Sequence, residues 1–176
     1  IKPPSRGTVR NILKEHKLDP GPDRGPDSWS EFLKRHAETL WQCDFLSKRI
    51  WTKYGPRQYF ALVFIHVASR RVFVTESCPK PDAAWVQQQA EVFVKHAEEV
   101  NLPVGQVLRD RDSKFSKSFD GVFKARQITV KRIAFRAPNM QAYVERWVQS
   151  LQQECLDWFI VFGKRHFDHL IDEYVK

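Results

Sequence analysis

LWQCDFLSKRIWTKYGPRQYFALVFIHVASRRVFVTES, residues 40 to 77, is the stretch on which the fold turns. Its first part, LWQCDF, reads as a short strand in which Leu40, Gln42 and Asp44 share one face, because successive strand side chains alternate sides. Residues 59 to 67, YFALVFIHV, are almost continuously apolar, the pattern of a strand covered on both faces. Residues 71 to 77, RVFVTES, read as a third strand. Three strands in such close succession predict an antiparallel meander.

The period changes after residue 81. From Asp82, placed as N-cap, DAAWVQQQAEVFVKHAEEV has apolar residues at Trp85, Val86, Ala90, Phe93, Val94 and Ala97, the spacing of an amphipathic helix. Val104 to Leu108 reads as a fourth strand leading into Arg109 and Asp110, residues 116 to 126 as a helix, and Ile128 to Ile133 as a fifth strand. Pro138 and Asn139 open a long helix expected to run to about Trp158. The order βββαβαβα predicts an α/β domain with a five-stranded mixed sheet, three antiparallel strands then two parallel ones, and flanking helices. That is the order of the ribonuclease H-like fold.

Toward the N-terminus, SRGTVRNILKEHKL (residues 5 to 18) spaces Val9, Ile12, Leu13 and Leu18 as a short basic helix, with Thr8 as its expected N-cap. Pro20, Gly21, Pro22, Gly25 and Pro26 then forbid regular structure. The chain is therefore read as an N-terminal piece (1–18), a linker (19–31) and a main domain (32–176), in which Trp29 and Phe32 anchor the entry. With 42% hydrophobic residues, thirteen Phe and six Trp, the main domain can bury a substantial core. There is neither an 18-residue apolar run nor a signal-peptide h-region, so a cytoplasmic location is expected. Cys43, Cys78 and Cys155 are too far apart for a CxxC zinc site and are read as small buried hydrophobes. His166 and His169 share a helical stretch without a matching Cys or Glu partner.

Three acids carry the chemistry: Asp44, Asp110 in VLRDRDSKF, and Glu145 in APNMQAYVERW. Asp44 and Asp110 are expected to leave neighbouring strands, and Glu145 sits at the margin of its helix's apolar stripe, able to look across the sheet edge. Like charges about 4 Å apart repel by several kcal/mol even at an effective dielectric near 20, so three converging carboxylates imply a cation. Oxygen-only ligands favour Mg²⁺ or Mn²⁺, and a pair of such ions suits phosphodiester chemistry, with Asp44 bridging and Asp110 and Glu145 each holding one. Residues 101 to 150 hold ten Lys or Arg against four Asp or Glu, which places the positive charge around the two later acids. A net charge of +8 distributed in this way suits a polyanionic substrate. Lys114, Lys117, Lys131, Arg132, Arg136 and Arg146 are the candidate phosphate contacts, with Gln149 and Gln152 one and two turns beyond Glu145 on the same helix face. Glu154 falls on nearly the opposite face.

These blocks together resemble the catalytic core of DDE transposases and retroviral-type integrases, in particular bacterial insertion-sequence transposases. WQCDF resembles that family's Trp-x-x-Asp-Phe block, FIHVASRRV its strand ending in Ser-Arg, and RDRDSKF its Asp-x-Gly-x-x-Phe block. APNMQAYVERWVQSLQQECLD is similar to its last helix, and the 34 residues between Asp110 and Glu145 match its usual gap. Asp112 stands where the family has Gly, which leaves two aspartates for one role; the gap favours Asp110. His66 lies where an acid is common and is read as a packed or surface residue. The resemblance implies metal-dependent cleavage of DNA ends, followed by attack of the exposed 3′-hydroxyl on target DNA. Double-stranded DNA would be the partner, and a homo-oligomer, a dimer, the acting form. Residues 5–18 resemble the last helix of the family's helix-turn-helix. The sequence stops at DEYVK, short of a segment that usually follows the core, so a fragment is expected. A catalytically impaired DNA-binding derivative and a nuclease without strand transfer remain the alternatives.

Overall fold

A computed structural model describes residues 5–16, 29–133 and 138–176 of the chain. They belong to two compact units divided between Lys34 and Arg35. In the first, α1 (Arg6–Glu15) is capped by Ser5, whose Oγ accepts the Thr8 N–H at 3.1 Å. The expected cap, Thr8, is instead the residue three positions into the motif, where an N-cap hydroxyl finds its donor. Residues 29 to 31, assigned to the linker from sequence, open α2 (Trp29–His36), where Trp29 and Phe32 stack at 5.3 Å. Contact between side chains three apart supports a helix there.

The second unit contains the sheet. β1 (Leu40–Thr52) and β2 (Gly55–His66) form a long antiparallel hairpin, from Trp41 opposite His66 to Thr52 opposite Gly55. β1 runs well past the LWQCDF segment, because Leu46 and Ile50 continue the buried face through the polar stretch Ser47-Lys48-Arg49. Gly55 closes the turn at φ +91°, a conformation that L side chains rarely adopt. β3 (Val72–Val74) is shorter than expected. Beyond it the chain still follows β2, but the Thr75 hydroxyl accepts the Leu62 N–H at 3.0 Å, replacing a regular ladder bond.

α3 (Ala83–Glu99) is capped by Asp82 as expected, its carboxylate accepting the Trp85 N–H at 2.8 Å. β4 (Gln106–Arg109), α4 (Lys117–Lys124) and β5 (Thr129–Arg132) complete a sheet of order β3-β2-β1-β4-β5, in which β1–β4 and β4–β5 are parallel. The long final helix of the sequence reading is broken. Pro138–Gln141 is a 3-10 turn, α5 spans Ala142–Glu154, and Cys155 at φ −127° and ψ −71° ends it. The break lets Leu156 turn into the core, which a continuing helix would not allow. α6 (Gly163–Val175) follows and was absent from the order read from sequence.

The sheet is covered on both sides. Trp41, Cys43, Phe64, Phe93, Phe119 and Phe123 fill one face beneath α3 and α4. Leu46, Ile50, Val63, Ile65, Leu151 and Phe167 fill the other beneath α5 and α6. That two-sided burial explains the uninterrupted apolar run in β2. All three cysteines are free, but only Cys43 is fully buried; Cys78 and Cys155 are half-buried.

Candidate active site

Strand register determines where the first two acids lie. Cys43 pairs with Arg109 in the parallel β1–β4 ladder, so the next residues, Asp44 and Asp110, stand level on adjacent strands, roughly 4.8 Å apart in the direction of hydrogen bonding. Alternation turns Asp44 to the same face as Gln42 and Leu46, the α5 face.

Two glutamines bring α5 to that edge. The Gln42 side chain is buried, and its Oε1 accepts the N–H groups of Tyr143 and Val144, each at 3.1 Å. Its Nε2 donates to the Met140 carbonyl at 2.8 Å. Gln141 reciprocates, donating from Nε2 to the Cys43 carbonyl at 2.9 Å. Gln42 thus does for α5 what a capping residue does, satisfying first-turn N–H groups that have no partner within the helix. Glu145 follows Val144 and occupies the same first turn.

Arg109 secures the other strand. It is buried, and it holds Asp120 of α4 through Nε to Oδ1 (2.9 Å) and Nη2 to Oδ2 (2.8 Å). Its Nη1 donates to the Asp110 carbonyl at 3.0 Å, and its guanidinium lies 5.1 Å from the Phe115 ring. A bidentate pair of this kind is geometrically specific, and it holds the backbone of Asp110. Neither glutamine nor Arg109 was singled out from sequence. The available signal was a polar residue on a buried strand: Gln42 between Trp41 and Cys43, and Arg109 after Val107 and Leu108.

The loop after β4 is built from consecutive side-chain turns. Asp110 Oδ1 accepts the Asp112 N–H at 3.0 Å, and Asp112 Oδ1 accepts the Lys114 N–H at 2.9 Å. Asp112 also holds the Lys114 ammonium at 2.6 Å. Burial tends to raise the Asp112 carboxyl, but the bonds from Lys114 outweigh it and hold its pKa below the ordinary value. The Asp44 carboxyl is pushed up to about 6, first by burial and then by the negative charges of Asp110, Glu145 and Asp112, against the Phe45 N–H bond that lowers it. Burial likewise raises Asp110, against the Asp112 N–H, with the Asp112 charge adding to the rise.

The three acids therefore share one sheet edge, and Asp44 feels the other two. Among the described residues, no three His, Cys, Asp or Glu side chains are already gathered closely enough to hold a metal ion. Asp44 and Asp110 are half-buried, whereas Glu145 is exposed on the helix surface. An all-oxygen donor set whose central member is raised by burial and by neighbouring negative charge suits a hard divalent cation. Glu154 is engaged elsewhere, accepting the Tyr174 hydroxyl at 2.8 Å. His66 is a packed residue, buried against Trp41, with Nε2 at 2.8 Å from the Glu38 carbonyl.

The candidate phosphate contacts fall into distinct groups. Lys117, Arg146 and Gln149 are exposed, and Gln152 is half-buried. Lys131 and Arg132 end β5 level with Leu108 and Arg109, and Arg132 also approaches Asp120 at 3.4 Å. Lys114 is half-buried in its pair with Asp112 and lies 5.3 Å from the Phe45 ring. Arg136 lies outside the described residues.

No protein-family model and no curated protein matches the sequence. Solved structures do match. The HTLV-2 integrase catalytic core domain in complex with magnesium, in its dimeric form, is similar over 78% of this chain and 83% of that one, with a TM-score of 0.53 and 16% identity. The catalytic core domain of BIV integrase is similar over 66% of this chain and 68% of that one, with a TM-score of 0.50 and 19% identity. A chain of the simian T-cell lymphotropic virus intasome in complex with the PP2A regulatory subunit B56 gamma gives a TM-score of 0.56 at 16% identity; this chain spans only 41% of its length. The sheet order, the covering helices and these likenesses together show the ribonuclease H-like fold that integrase catalytic cores share.

Proposed function

We propose that this chain is the catalytic core of a DNA transposase or integrase of the insertion-sequence kind, cleaving DNA ends and joining them to target DNA. The observation that carries the reading is the half-buried Asp44, level with Asp110 beneath the first turn of α5, its carboxyl raised by burial and further by its acidic neighbours. Asp44 would take the bridging position, with Asp110 and Glu145 each completing one of two Mg²⁺ or Mn²⁺ sites. When bound, such a pair lowers the pKa of an attacking water or 3′-hydroxyl and steadies the leaving oxygen. Glu145, exposed in the first turn of α5, would supply the third carboxylate of the set. Lys117, Lys131, Arg132, Arg146, Gln149 and Gln152 then hold the phosphate backbone on either side of the reacting bond.

Asp110 is the better second ligand, because Asp112 is committed to Lys114. Asp112 does supply a fourth carboxylate whose charge reaches Asp44, and this favours a nuclease without strand transfer as the second reading. The acting form is proposed to be a homodimer on double-stranded DNA, as the HTLV-2 core was solved in a dimeric form. Residues 1–18 are proposed as the end of a helix-turn-helix, and the working location as the cytoplasm, at the nucleoid. No helix among the described residues is long and apolar enough to cross a membrane.

The test is incubation with Mn²⁺ and a labelled duplex bearing candidate terminal repeats. Nicking that disappears in Asp110→Asn and Glu145→Gln supports the assignment, and nicking that survives both substitutions sinks it. Integration of a pre-cut end into plasmid separates the transferase from the nuclease.

A further inference from the structure

The far end of β1 carries a surface that the acids do not explain. Trp51, Tyr54, Trp158, Phe159, Ile160 and Phe162 are each 49% to 79% exposed. The hairpin tip and the segment between α5 and α6 meet there. The Trp51 N–H donates to the Val161 carbonyl at 2.8 Å, and Trp51 forms a single parallel bridge with Phe162. An open groove of about 810 Å³ runs between them, lined by Trp51, Tyr54, Arg57, Tyr59 and Phe162. Contiguous exposed apolar surface on a folded domain marks an interaction site.

Charge identifies what fits. Lys53 and Arg57 line the groove beside these rings and are exposed, and among the described residues neither has a carboxylate partner. The neighbouring acids are engaged elsewhere: Asp157 pairs with Lys48 at 2.7 Å, and Glu76 and Asp168 share Lys164 at 2.8 and 2.6 Å. The Lys53 ammonium lies 4.9 Å from the Tyr54 ring centre. Unpaired cations interleaved with exposed aromatic faces form the pattern that binds unpaired nucleotides, where rings stack on bases and cations meet phosphates.

We propose that this surface binds single-stranded DNA, with Tyr54 and Phe162 stacking on unpaired bases and Lys53 and Arg57 contacting the backbone. A second copy of this chain is the poorer occupant, since a two-fold contact through this patch would bring its unpaired cations toward their own symmetry mates. Trp51 lies seven residues beyond Asp44 along the same strand, roughly 23 Å at about 3.3 Å per residue. A DNA strand leaving the acids would have to run that length along the sheet to reach the hairpin. The choice of DNA over RNA rests on the function proposed above.

The experiment measures fluorescence anisotropy of a labelled short oligo(dT) and of a duplex of equal length, with the whole chain and no metal. Tyr54→Ala combined with Phe162→Ala should weaken oligo(dT) binding by about tenfold or more and leave the duplex unaffected, because a duplex hides its base faces. Lys53→Glu with Arg57→Glu should flatten the salt dependence of oligo(dT) binding. The aromatic variant keeps Asp44, Asp110 and Glu145, so wild-type oligo(dT) affinity in it alongside intact Mn²⁺-dependent nicking would sink this proposal and leave the acid site standing, and the two failures are distinguishable. Wild-type oligo(dT) affinity in the aromatic variant overturns the proposal, as does equal binding of oligo(U). Loss of a dimer without loss of oligo(dT) binding would assign the surface to a second copy instead. Should the double variant fail to fold, the single Tyr54→Ala substitution, at a residue 75% exposed, decides by the same comparison.

Discussion

The two faces of β1 differ in kind. On one side Trp41 and Cys43 enter a dry aromatic core in which Phe93 stacks on Phe64 at 3.9 Å and meets Trp41 edge-on at 4.9 Å. On the other, Gln42 and Asp44 interrupt the apolar surface, and Leu46 and Ile50 resume it only further along. At Trp41 and Cys43 the first face offers water nothing and contributes stability. The second spends buried positions on an amide, which ties α5 to the strand, and on a carboxylate, which belongs to the proposed metal site. A strand can serve both ends because its side chains alternate sides: one period of two separates what holds the domain from what acts.

The sharpest break in that comparison is Asp44→Asn. It should abolish Mn²⁺-dependent nicking in a gel assay, while the melting temperature of the metal-free protein stays level or rises through relief of repulsion. A large fall in melting temperature would make Asp44 a structural residue and erase the contrast between the faces. On the opposite face, Phe93→Ala should cost about 3–5 kcal/mol in denaturant unfolding. Cleavage per folded molecule, in whatever fraction remains folded, should be preserved.

Gln42→Leu tests the boundary between the two roles. Leu fits the space but leaves the Tyr143 and Val144 N–H groups and the Met140 carbonyl without partners, at about 1–3 kcal/mol. Misplacement of Glu145 should lower nicking by roughly 10- to 100-fold, the usual effect of losing a group that orients ligands. The loss should exceed what the unfolded fraction accounts for; activity that merely tracks the folded fraction would show the amide to be structural alone.

The smallest effect is in pH. The Asp44 carboxyl titrates near 6 in the folded chain, above its ordinary value. Between about pH 4 and 6 the folded state therefore binds the extra proton, and metal-free stability should fall as pH rises through that window, by on the order of 2 kcal/mol, then level off. Chemical denaturation across that range should show the slope in the wild type and a shallower one in Asp44→Asn, where only Asp110 is still raised. Mg²⁺ at pH 7 should raise the melting temperature of the wild type only.

Much of this was legible in the chain itself. The alternation of LWQCDF, the two-sided apolar run of β2, the Asp82 cap and the change of period after it all depend on neighbours a few residues apart, and all appear in the folded domain. The elements that escaped depend on distant partners. β1 continues through Ser47-Lys48-Arg49 because β2 pairs with it; α5 stops at Cys155 because Leu156 has a core to enter; and α6 belongs to a face that exists only once the sheet is formed.

Sequence alone determined which residues are proposed to act, since carboxylates supply hard anionic oxygens and the spacing assigns Asp44, Asp110 and Glu145 to separate elements. Tertiary structure decided where the elements that carry them lie. The β1–β4 register sets Asp44 level with Asp110, the Gln42 and Gln141 amides tie α5 to β1, and Arg109 anchors the backbone at Asp110. The physical reason is that backbone register and buried hydrogen bonds link groups 60 to 100 residues apart. Local propensity carries no information over that separation, whereas a buried polar group left without its partner costs too much for any other arrangement to persist.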